Sequence, residues 1–125
     1  VERVSVGLRQ LLELPDNFHI AFTASATEIW ERSIQNLVAA QSTHYVNGSF
    51  SAKYAEIASQ LGCNTEAIRV GEGHAFHQPT RHHAELIALT HNETSTGVAL
   101  PLEFIHGFRT LNPNTLVIVD AVSSL

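Results

Sequence analysis

Hydrophobic positions along this chain change repeatedly between the spacing of amphipathic helices and the short apolar runs of buried strands. The helical spacing predicts four helices, at residues 1–14, 24–40, 49–61 and 101–111. Apolar or β-branched runs between them predict five strands, at residues 18–23, 42–47, 63–70, 85–91 and 115–119. Pro15 ends the first helix, Gly62 closes the third as its carboxyl-terminal cap, and Pro101 opens the fourth.

This alternation of strands with helices predicts an α/β fold, a mostly parallel sheet with helices on both of its faces. The last strand, residues 115–119, is apolar on both faces and is therefore expected to lie inside the sheet. It delivers the carboxylate of Asp120 to the carboxyl end of the strand, which is the edge where ligands bind in such sheets. The alternative is that Asp120, Ser123 or Ser124 caps a following helix.

The composition is that of a soluble, single-domain globular protein: 125 residues, 44% hydrophobic and 15% charged, with a net charge of -5. An acidic chain whose only lysine is Lys53 is not expected to bind nucleic acid through its phosphates. No apolar run is as long as a membrane span, no basic-then-apolar start resembles a signal peptide, and the lone Cys63 fits a reducing compartment, so the cytoplasm is expected. The chain has no methionine, opens inside a predicted helix and stops just after a predicted strand, so we expect a piece of a larger protein.

Ser25-Ala26-Thr27 follows a predicted strand and opens a predicted helix. The free N–H groups of a helix start and the helix dipole attract an anion, and small side chains let a phosphate approach. With Glu28, the same residues also match a capping box, in which the serine bonds forward and the glutamate bonds back. Capping and phosphate binding exclude each other only in part, because one turn can offer some N–H donors to the cap and others to a phosphate.

Two further strand ends carry candidate binding residues. Gly48 permits close approach at the end of residues 42–47, and Phe50 follows at once; its ring either stacks on a flat ligand or packs in the core. Lys53, one turn later, is expected to face solvent. Residues 91–97, His-Asn-Glu-Thr-Ser-Thr-Gly, are polar or small, and such a segment suits a binding edge as well as an ordinary loop.

Four histidines, His74, His77, His82 and His83, fall within the predicted loop of residues 71–83. Clustered imidazoles can hold zinc, but no cysteine or closely spaced carboxylate completes a ligand set. Solvated histidines are therefore favoured, and no metal is expected. Neither a dinucleotide-binding Gly-x-Gly-x-x-Gly nor a P-loop follows any predicted strand, which argues against a nucleotide site.

Four segments, taken in order, resemble the class V pyridoxal-phosphate-dependent aminotransferases: Ala-Ser-Ala-Thr-Glu (24–28), Asn-Gly-Ser-Phe (47–50), His-Asn-Glu-Thr-Ser-Thr-Gly (91–97) and Val-Asp-Ala-Val-Ser-Ser (119–124). Within that class the chain most resembles the group of phosphoserine aminotransferases and alanine–glyoxylate or serine–pyruvate aminotransferases. The resemblance covers nearly the whole chain. It implies the large domain of a fold type I enzyme, with residues 1–125 as a segment of that single cofactor-binding domain and without the small domain.

The resemblance implies pyridoxal 5′-phosphate as the cofactor and assigns six residues of this chain to it. They are Ser25, Ala26 and Thr27 at the phosphate, Phe50 on the ring face, Thr94 at the ring hydroxyl and Asp120 at the ring nitrogen. A carboxylate against the ring nitrogen keeps it protonated, and the cationic ring then accepts the electron pair that the substrate releases with its α-proton. A hydrogen-bonded ion pair is also one of the few environments in which a carboxylate in a crevice is stable.

The family's catalytic lysine, which forms the Schiff base with the cofactor, is expected on a later strand end beyond Leu125, and Lys53 does not match it. No catalytic residue is therefore assigned within this chain, which by itself is expected to be inactive. The resemblance also implies a homodimer whose partner subunit completes the cofactor site. The substrates it implies are an amino acid and a small 2-oxo acid.

Two positions bear on the choice within the family. Typical phosphoserine aminotransferases carry an arginine where Thr27 stands here, so the amino donor and the acceptor stay open. Cysteine desulfurases, a neighbouring branch of class V, usually stack a histidine where Phe50 stands, which favours an aminotransferase over such a lyase. The remaining alternative is a non-catalytic α/β binding or interaction domain.

Overall fold

The computed structural model describes residues 1–125, which form four helices and six strands. The helices are α1 (Glu2–Leu11), α2 (Ala26–Leu37), α3 (Ser49–Gln60) and α4 (Leu102–Leu111). The strands are β1 (Gln41–Val46), β2 (Asn64–Arg69), β3 (Leu86–Thr90), β4 (Asn92–Glu93), β5 (Val98–Ala99) and β6 (Leu116–Asp120). None of the helices combines the length and the apolar character that crossing a membrane requires.

Four of the strands form one parallel sheet in the order β2, β1, β3, β6. The two central strands are the buried ones: every residue of β3 is buried, and only the first residue of β1 is not. β4 and β5 form a separate antiparallel pair directly after β3. The prediction of an α/β fold with a mostly parallel sheet is therefore confirmed.

Alternate residues of β3 pack against helices on opposite faces of the sheet, because successive side chains of a strand point in opposite directions. Leu86 belongs to one core cluster, which it shares with apolar residues of α2 and α3. Ile87 belongs to the other, which it shares with Phe104 and Phe108 of α4. The helices thus cover both faces, as predicted, and leave the carboxyl ends of the strands open.

Residues 18–23 do not form the predicted strand. The segment pairs with no other strand, and Phe18 and Phe22 are half exposed. A side chain of α1 fixes the start of this segment instead: the Arg9 guanidinium donates hydrogen bonds to the carbonyl of Pro15, at 3.0 Å, and to that of Phe18. A strand needs a partner for its backbone N–H and C=O groups, and an apolar run does not by itself supply one. This prediction is wrong for that reason.

The helix predicted to run to residue 40 ends earlier, at Leu37, where Val38 turns to an extended conformation with φ −124° and ψ 117°. The carboxylate of Glu85, just before β3, accepts hydrogen bonds from the backbone N–H groups of residues 39–41 at 2.9, 2.7 and 3.2 Å. The bonds from Ala40 and Gln41 hold the pKa of Glu85 below its usual value. A residue far away in sequence therefore decides where the strand begins.

The last strand of the sheet, β6, lies at an edge rather than inside the sheet. It pairs with β3 alone, and Leu116 and Val119 remain 46% and 37% exposed. The expectation of a buried strand is therefore wrong for this structure, because an apolar run has the same pattern whether one strand flanks it or two. After Asp120 the chain makes a turn in which the N–H of Ser124 donates to the carbonyl of Ala121 at 3.0 Å, and the Asp120 carboxylate accepts the N–H of Val122 at 3.1 Å. Capping of a following helix by Asp120, Ser123 or Ser124 stays a prediction.

The four loop histidines do not assemble into a metal site: no group of three or more His, Cys, Asp or Glu side chains is placed to hold an ion. His74, His77 and His83 are exposed. His82 turns inward instead, and its Nε2 lies 2.8 Å from the hydroxyls of both Tyr45 and Thr80. These contacts fix the loop to the face of the sheet that α4 covers.

Candidate functional site

A cleft opens at the carboxyl ends of β3 and β6, beside the first turns of α2 and α3. Its volume is about 550 Å³, including the part that is open to solvent. Five of the six predicted site residues line it: Ala26, Thr27, Phe50, Thr94 and Asp120. They come from separate segments of the chain, so the cleft exists only because the parallel sheet brings these segments to one edge.

Ser25, the sixth predicted residue, lies beside the cleft, in an adjacent hollow that also contains Ala26 and Asp120. Its Oγ accepts the N–H of Glu28 at 3.2 Å. The Glu28 carboxylate in turn accepts the N–H of Ala24 at 2.9 Å. Both parts of the helix-capping interpretation are therefore present, although the return bond reaches the residue before the one that a standard capping box uses.

The start of α2 nevertheless keeps free donors. The N–H groups of Ser25, Ala26 and Thr27 bond to no acceptor within the chain. α2 is 12 residues long, so its dipole places partial positive charge at this end. Capping and anion binding are therefore compatible at this turn, because the cap occupies the N–H of Glu28 and leaves the earlier N–H groups to a ligand.

Asp120 ends β6 directly opposite Thr90 of β3, and both residues line the cleft. Its carboxylate is partly buried and accepts the N–H of Val122 at 3.1 Å. No ion pair of the structure involves it. A carboxylate in a cleft without a cationic partner can pair with a ligand, so this position suits one that brings a positive charge.

Trp30 of α2 forms one wall of the cleft, a position that the sequence pattern did not reveal. Trp30 lines the cleft and stacks on Tyr54, with ring centroids 5.4 Å apart and planes inclined by 14°. Burial raises the pKa of Tyr54 to about 12; a hydrogen bond with Ser33 opposes this change, and the negative charge of Asp120 adds to it. The Tyr54 hydroxyl therefore stays neutral at physiological pH. Helical spacing places Trp30 on the apolar face of α2, and spacing does not distinguish a core face from one that also borders a cleft.

Phe50 contributes a second apolar surface. It is 47% exposed, so the alternative of a core position is wrong, and the ring remains accessible to a flat ligand. Lys53, one turn further along α3, is exposed as expected, but it also lines the cleft. It is the only cationic side chain in that lining, a role that the sequence reasoning missed by assigning it to solvent.

Thr94 is carried by the hairpin of β4 and β5. The turn of this hairpin is tight: the carbonyl of Glu93 accepts the N–H groups of Thr96 and Gly97 at 3.1 and 2.9 Å. Gly97 has φ 71°, a left-handed conformation that glycine adopts without strain. The polar residues 91–97 are thus an ordered hairpin that places Thr94 in the cleft.

The hairpin is bonded to the chain that follows β6. The side-chain amide of Asn92 donates to the Ser123 hydroxyl at 3.0 Å, and that hydroxyl donates to the carbonyl of Asn92 at 3.0 Å. The hydroxyl of Ser124 lies 2.8 Å from Nδ1 of His91. The two serines that were candidates for helix caps therefore hold the hairpin in place.

Glu93 is fully buried, and no role was assigned to it from the sequence. Its carboxylate accepts the N–H groups of Phe50 and Ser51 at 3.3 and 2.9 Å, and the hydroxyls of Ser51 and Ser95 at 2.8 and 2.6 Å. Burial raises the pKa of Glu93, but these hydrogen bonds outweigh burial and hold the pKa below its usual value. The sequence offered one indication that Glu93 has a structural role: it is a single acidic residue beside several hydroxyl residues at a strand end.

Gly48 leaves the space that this carboxylate occupies. A Cβ at Gly48 would lie 2.3 Å from Cγ of Glu93 and 2.5 Å from Oγ of Ser95. The φ of Gly48 is 175°, which any residue can adopt, so the glycine is needed for space and not for its backbone conformation. The close approach predicted at Gly48 is therefore made by another part of the chain.

Together these groups define what the cleft can bind. The free N–H groups at the start of α2 suit an anion, and the Phe50 ring suits a flat ring. The Thr94 hydroxyl suits a polar substituent, and the Asp120 carboxylate suits a cation. A flat heterocycle with a protonated ring nitrogen and an anionic substituent fits this set of donors and acceptors.

Known proteins similar to this chain share one activity in their names. No family model matches the chain. Among curated proteins, a putative phosphoserine aminotransferase from Mycolicibacterium vanbaalenii is 34% identical over 99% of this chain and 33% of its own length. The phosphoserine aminotransferase of Rhodococcus opacus is 32% identical over 98% of this chain and 33% of its own length. The chain thus spans about a third of the length of the curated relatives it matches.

Solved structures match over nearly the whole chain as well. A phosphoserine aminotransferase from Cytophaga hutchinsonii matches with a TM-score of 0.92 and 50% identity, over 96% of this chain and 34% of that one. An alanine–glyoxylate aminotransferase from Nostoc sp. matches with a TM-score of 0.76 and 27% identity, over 99% of this chain and 35% of that one.

Proposed function

We propose that this chain is part of a class V, pyridoxal-phosphate-dependent aminotransferase, as the names of the proteins it matches support, and that its cleft binds pyridoxal 5′-phosphate. The activity we propose for the protein is transfer of an amino group between an amino acid and a small 2-oxo acid. The observation that carries this proposal is the convergence of free N–H groups, an accessible aromatic ring, a hydroxyl and an unpaired carboxylate on one cleft.

The phosphate of the cofactor is proposed to bind at the start of α2. The N–H groups of Ser25, Ala26 and Thr27 are the donors, and the small side chains of these residues allow an anion to approach the backbone. The bond from the N–H of Glu28 to Ser25 fixes the turn before the ligand arrives. Less free energy then has to be spent on ordering the turn when the phosphate binds.

The ring of the cofactor is proposed to lie against Phe50, with the Thr94 hydroxyl bonded to the ring hydroxyl and the Asp120 carboxylate holding a proton on the ring nitrogen. When bound, the cofactor supplies a cationic ring that accepts the electron pair released as the substrate loses its α-proton. Asp120 suits this task because it has no cationic partner of its own. The catalytic lysine that the family implies is not assigned to any residue of this chain, and Lys53 is left without a catalytic role.

Phosphoserine is proposed as the amino donor, because the curated relatives and the 50%-identical solved structure are named for it. We also propose that the protein works in the cytoplasm as a homodimer, with the partner subunit completing the cofactor site. The cleft is open to solvent on one side, which is compatible with a further group closing it.

Titration of the protein with pyridoxal 5′-phosphate tests the proposal directly. Trp30 is the only tryptophan of the sequence and lines the cleft, so quenching of its fluorescence reports binding without requiring turnover. Saturable quenching is expected. Absence of binding would overturn the proposal and favour a domain that binds other partners. In the full-length natural protein, amino transfer from phosphoserine, alanine and aspartate to glyoxylate and other small 2-oxo acids would then identify the substrates.

Replacing Asp120 by asparagine tests the ring-nitrogen role. Asp120→Asn keeps the shape of the side chain but removes its charge, and hydrogen bonds to charged groups contribute about 1.5–3 kcal/mol, so the dissociation constant should rise about 10- to 150-fold. Asp16→Asn is the matched control, because Asp16 is the other aspartate of the sequence and is exposed outside the cleft. Equal affinity in the two variants would remove Asp120 from the proposed site.

A further inference from the structure

We propose that Glu93 is a positioning residue: its buried carboxylate fixes the two segments that carry Phe50 and Thr94, and so sets the width of the space that a ring enters between them. Glu93 does not line the cleft and acts through its neighbours. The inference rests on the proposed function, because it takes the ring of pyridoxal 5′-phosphate as the ligand of that space.

On the side of α3, Glu93 fixes the backbone that carries the Phe50 ring. One carboxylate oxygen accepts the N–H of Phe50 at 3.3 Å, and the other accepts the N–H of Ser51 at 2.9 Å. The Ser51 hydroxyl donates to the second oxygen at 2.8 Å and accepts the N–H of Gly48 at 3.1 Å. The first turn of α3 is therefore held to a side chain of the hairpin and cannot move independently of it.

On the side of the hairpin, the residues around Thr94 are bonded to the same turn. The Ser95 hydroxyl donates to Glu93 at 2.6 Å and accepts the N–H of Ser49 at 2.9 Å. The Thr96 hydroxyl donates to the carbonyl of Asn47 at 3.1 Å. Thr94 follows Glu93 in the chain, so any shift of the carboxylate is passed to it directly.

The arrangement has little room to relax. Glu93 is 0% exposed and takes part in no ion pair, so its charge is stabilised only by donors that belong to these two segments. A buried charge that loses its donors is strongly disfavoured, which keeps the donors in place. Gly48 limits movement in the other direction, because there is no space for even a Cβ between it and Glu93.

A second carboxylate of the chain provides a matched control. Glu85 also accepts three backbone N–H groups, those of residues 39–41, but it does so at the opposite end of the sheet, before β3. Replacing Glu93 by glutamine places an amide N–H against other donors, because both of its oxygens accept hydrogen bonds. One oxygen of Glu85 accepts all three N–H groups, so glutamine there removes the charge but can keep the acceptor. Only the change at Glu93 is expected to affect the cleft.

The experiment compares Glu93→Gln with Glu85→Gln by fluorescence titration with pyridoxal 5′-phosphate and by chemical unfolding. We expect Glu93→Gln to raise the dissociation constant about 10- to 100-fold, the range that loss of a supporting partner behind a ligand group costs at metal centres. Glu85→Gln should stay within about twofold of the unsubstituted protein. Both variants should unfold at lower denaturant concentration, so the unfolding midpoint alone does not distinguish them.

The outcomes separate the two proposals. No binding by the unsubstituted protein would overturn the proposed function. Binding by that protein with the same affinity in Glu93→Gln would overturn the positioning role alone, and so would an equal loss of affinity in Glu85→Gln. If Glu93→Gln does not fold, Ser95→Ala decides: it removes one donor to Glu93 and should raise the dissociation constant by a smaller factor, whereas unchanged affinity would refute the inference.

Discussion

Lowering the pH from about 7 to about 5 is expected to destabilise the folded protein through one buried histidine, His44. His44 is 1% exposed and packs edge-on against Tyr54, the residue on which Trp30 stacks. Its Nε2 lies 3.0 Å from the Ser42 hydroxyl, and its Nδ1 has no hydrogen-bond partner. A protonated ring would be buried without a counter-ion, and burial accordingly lowers the pKa of His44 from 6.5 to about 4.

The sign and size of the effect follow from this lowered pKa. The unfolded chain takes up a proton near pH 6.5, whereas the folded protein does not until about pH 4, so stability is fully present above the first value and falls below it. The whole difference corresponds to about 3 kcal/mol, of which about 2 kcal/mol should be lost between pH 7 and pH 5. Glu85 and Glu93 also have lowered pKa values, but their contributions are lost only below the usual carboxyl value of 4.5.

The assay is chemical unfolding followed by Trp30 fluorescence at pH 7 and at pH 5, for the unsubstituted protein and for His44→Leu. The variant cannot titrate at this position, so its loss of stability between the two pH values should be smaller by about 2 kcal/mol. His106→Leu is the control, because His106 is exposed, and it should retain the full loss. If His44→Leu lost as much stability as the unsubstituted protein, the reasoning about His44 would be refuted.

Two further predictions concern Gly48 and Glu85. Gly48→Ala should lower the free energy of unfolding by about 1–3 kcal/mol, since its Cβ would lie 2.3 Å from Cγ of Glu93. The control is Gly7→Ala, which should not lower the free energy of unfolding, because a Cβ there meets nothing within 4 Å. An equal loss of stability in the two variants would contradict the steric argument. Glu85→Gln should unfold more easily at pH 7. Because the folded pKa of Glu85 is lowered, its stabilisation begins to be lost as the pH falls below the usual value of 4.5 and is gone only below the folded pKa. The difference between the two unfolding curves should therefore shrink as the pH falls below 4.5, and a difference that does not shrink would contradict the assignment.

The fold could be predicted from the sequence wherever a run of residues has both a pattern and a partner. The segment at residues 18–23 and strand β3 have similar apolar character, yet only β3 is a strand, because β1 and β6 flank it. The same limitation explains β6, whose apolar pattern suggested two neighbours where the structure has one. The hydrophobic pattern describes a single segment, whereas strand pairing depends on which other segments lie beside it in the fold.

Part of the cleft wall could be predicted from local features of the sequence, whereas the places of Trp30 and Lys53 in it were missed. An aromatic residue after Gly48, small residues at a helix start and an acid after an apolar strand are all visible within a few positions. The bonds that hold those walls are not local. Glu93 binds Ser51 across 42 positions of sequence, and Asn92 binds Ser123 across 31. No periodicity connects such residues, which is why both pairs were missed.

The physical character of the cleft favours a charged small molecule over a protein surface as its occupant. Protein interfaces exclude charge from their centre, whereas small-molecule sites are concave, with apolar walls and a few polar groups that fix orientation. Trp30 and Phe50 provide such walls, and Asp120, Thr94 and the free N–H groups of α2 provide the polar groups. Glu93 bonds the turn that carries Phe50 to the hairpin that carries Thr94, and Asp120 has no ion-pair partner within the chain. A surface that only docked another protein would not require these polar groups to converge in one cleft, and this favours cofactor binding over the interaction-domain alternative.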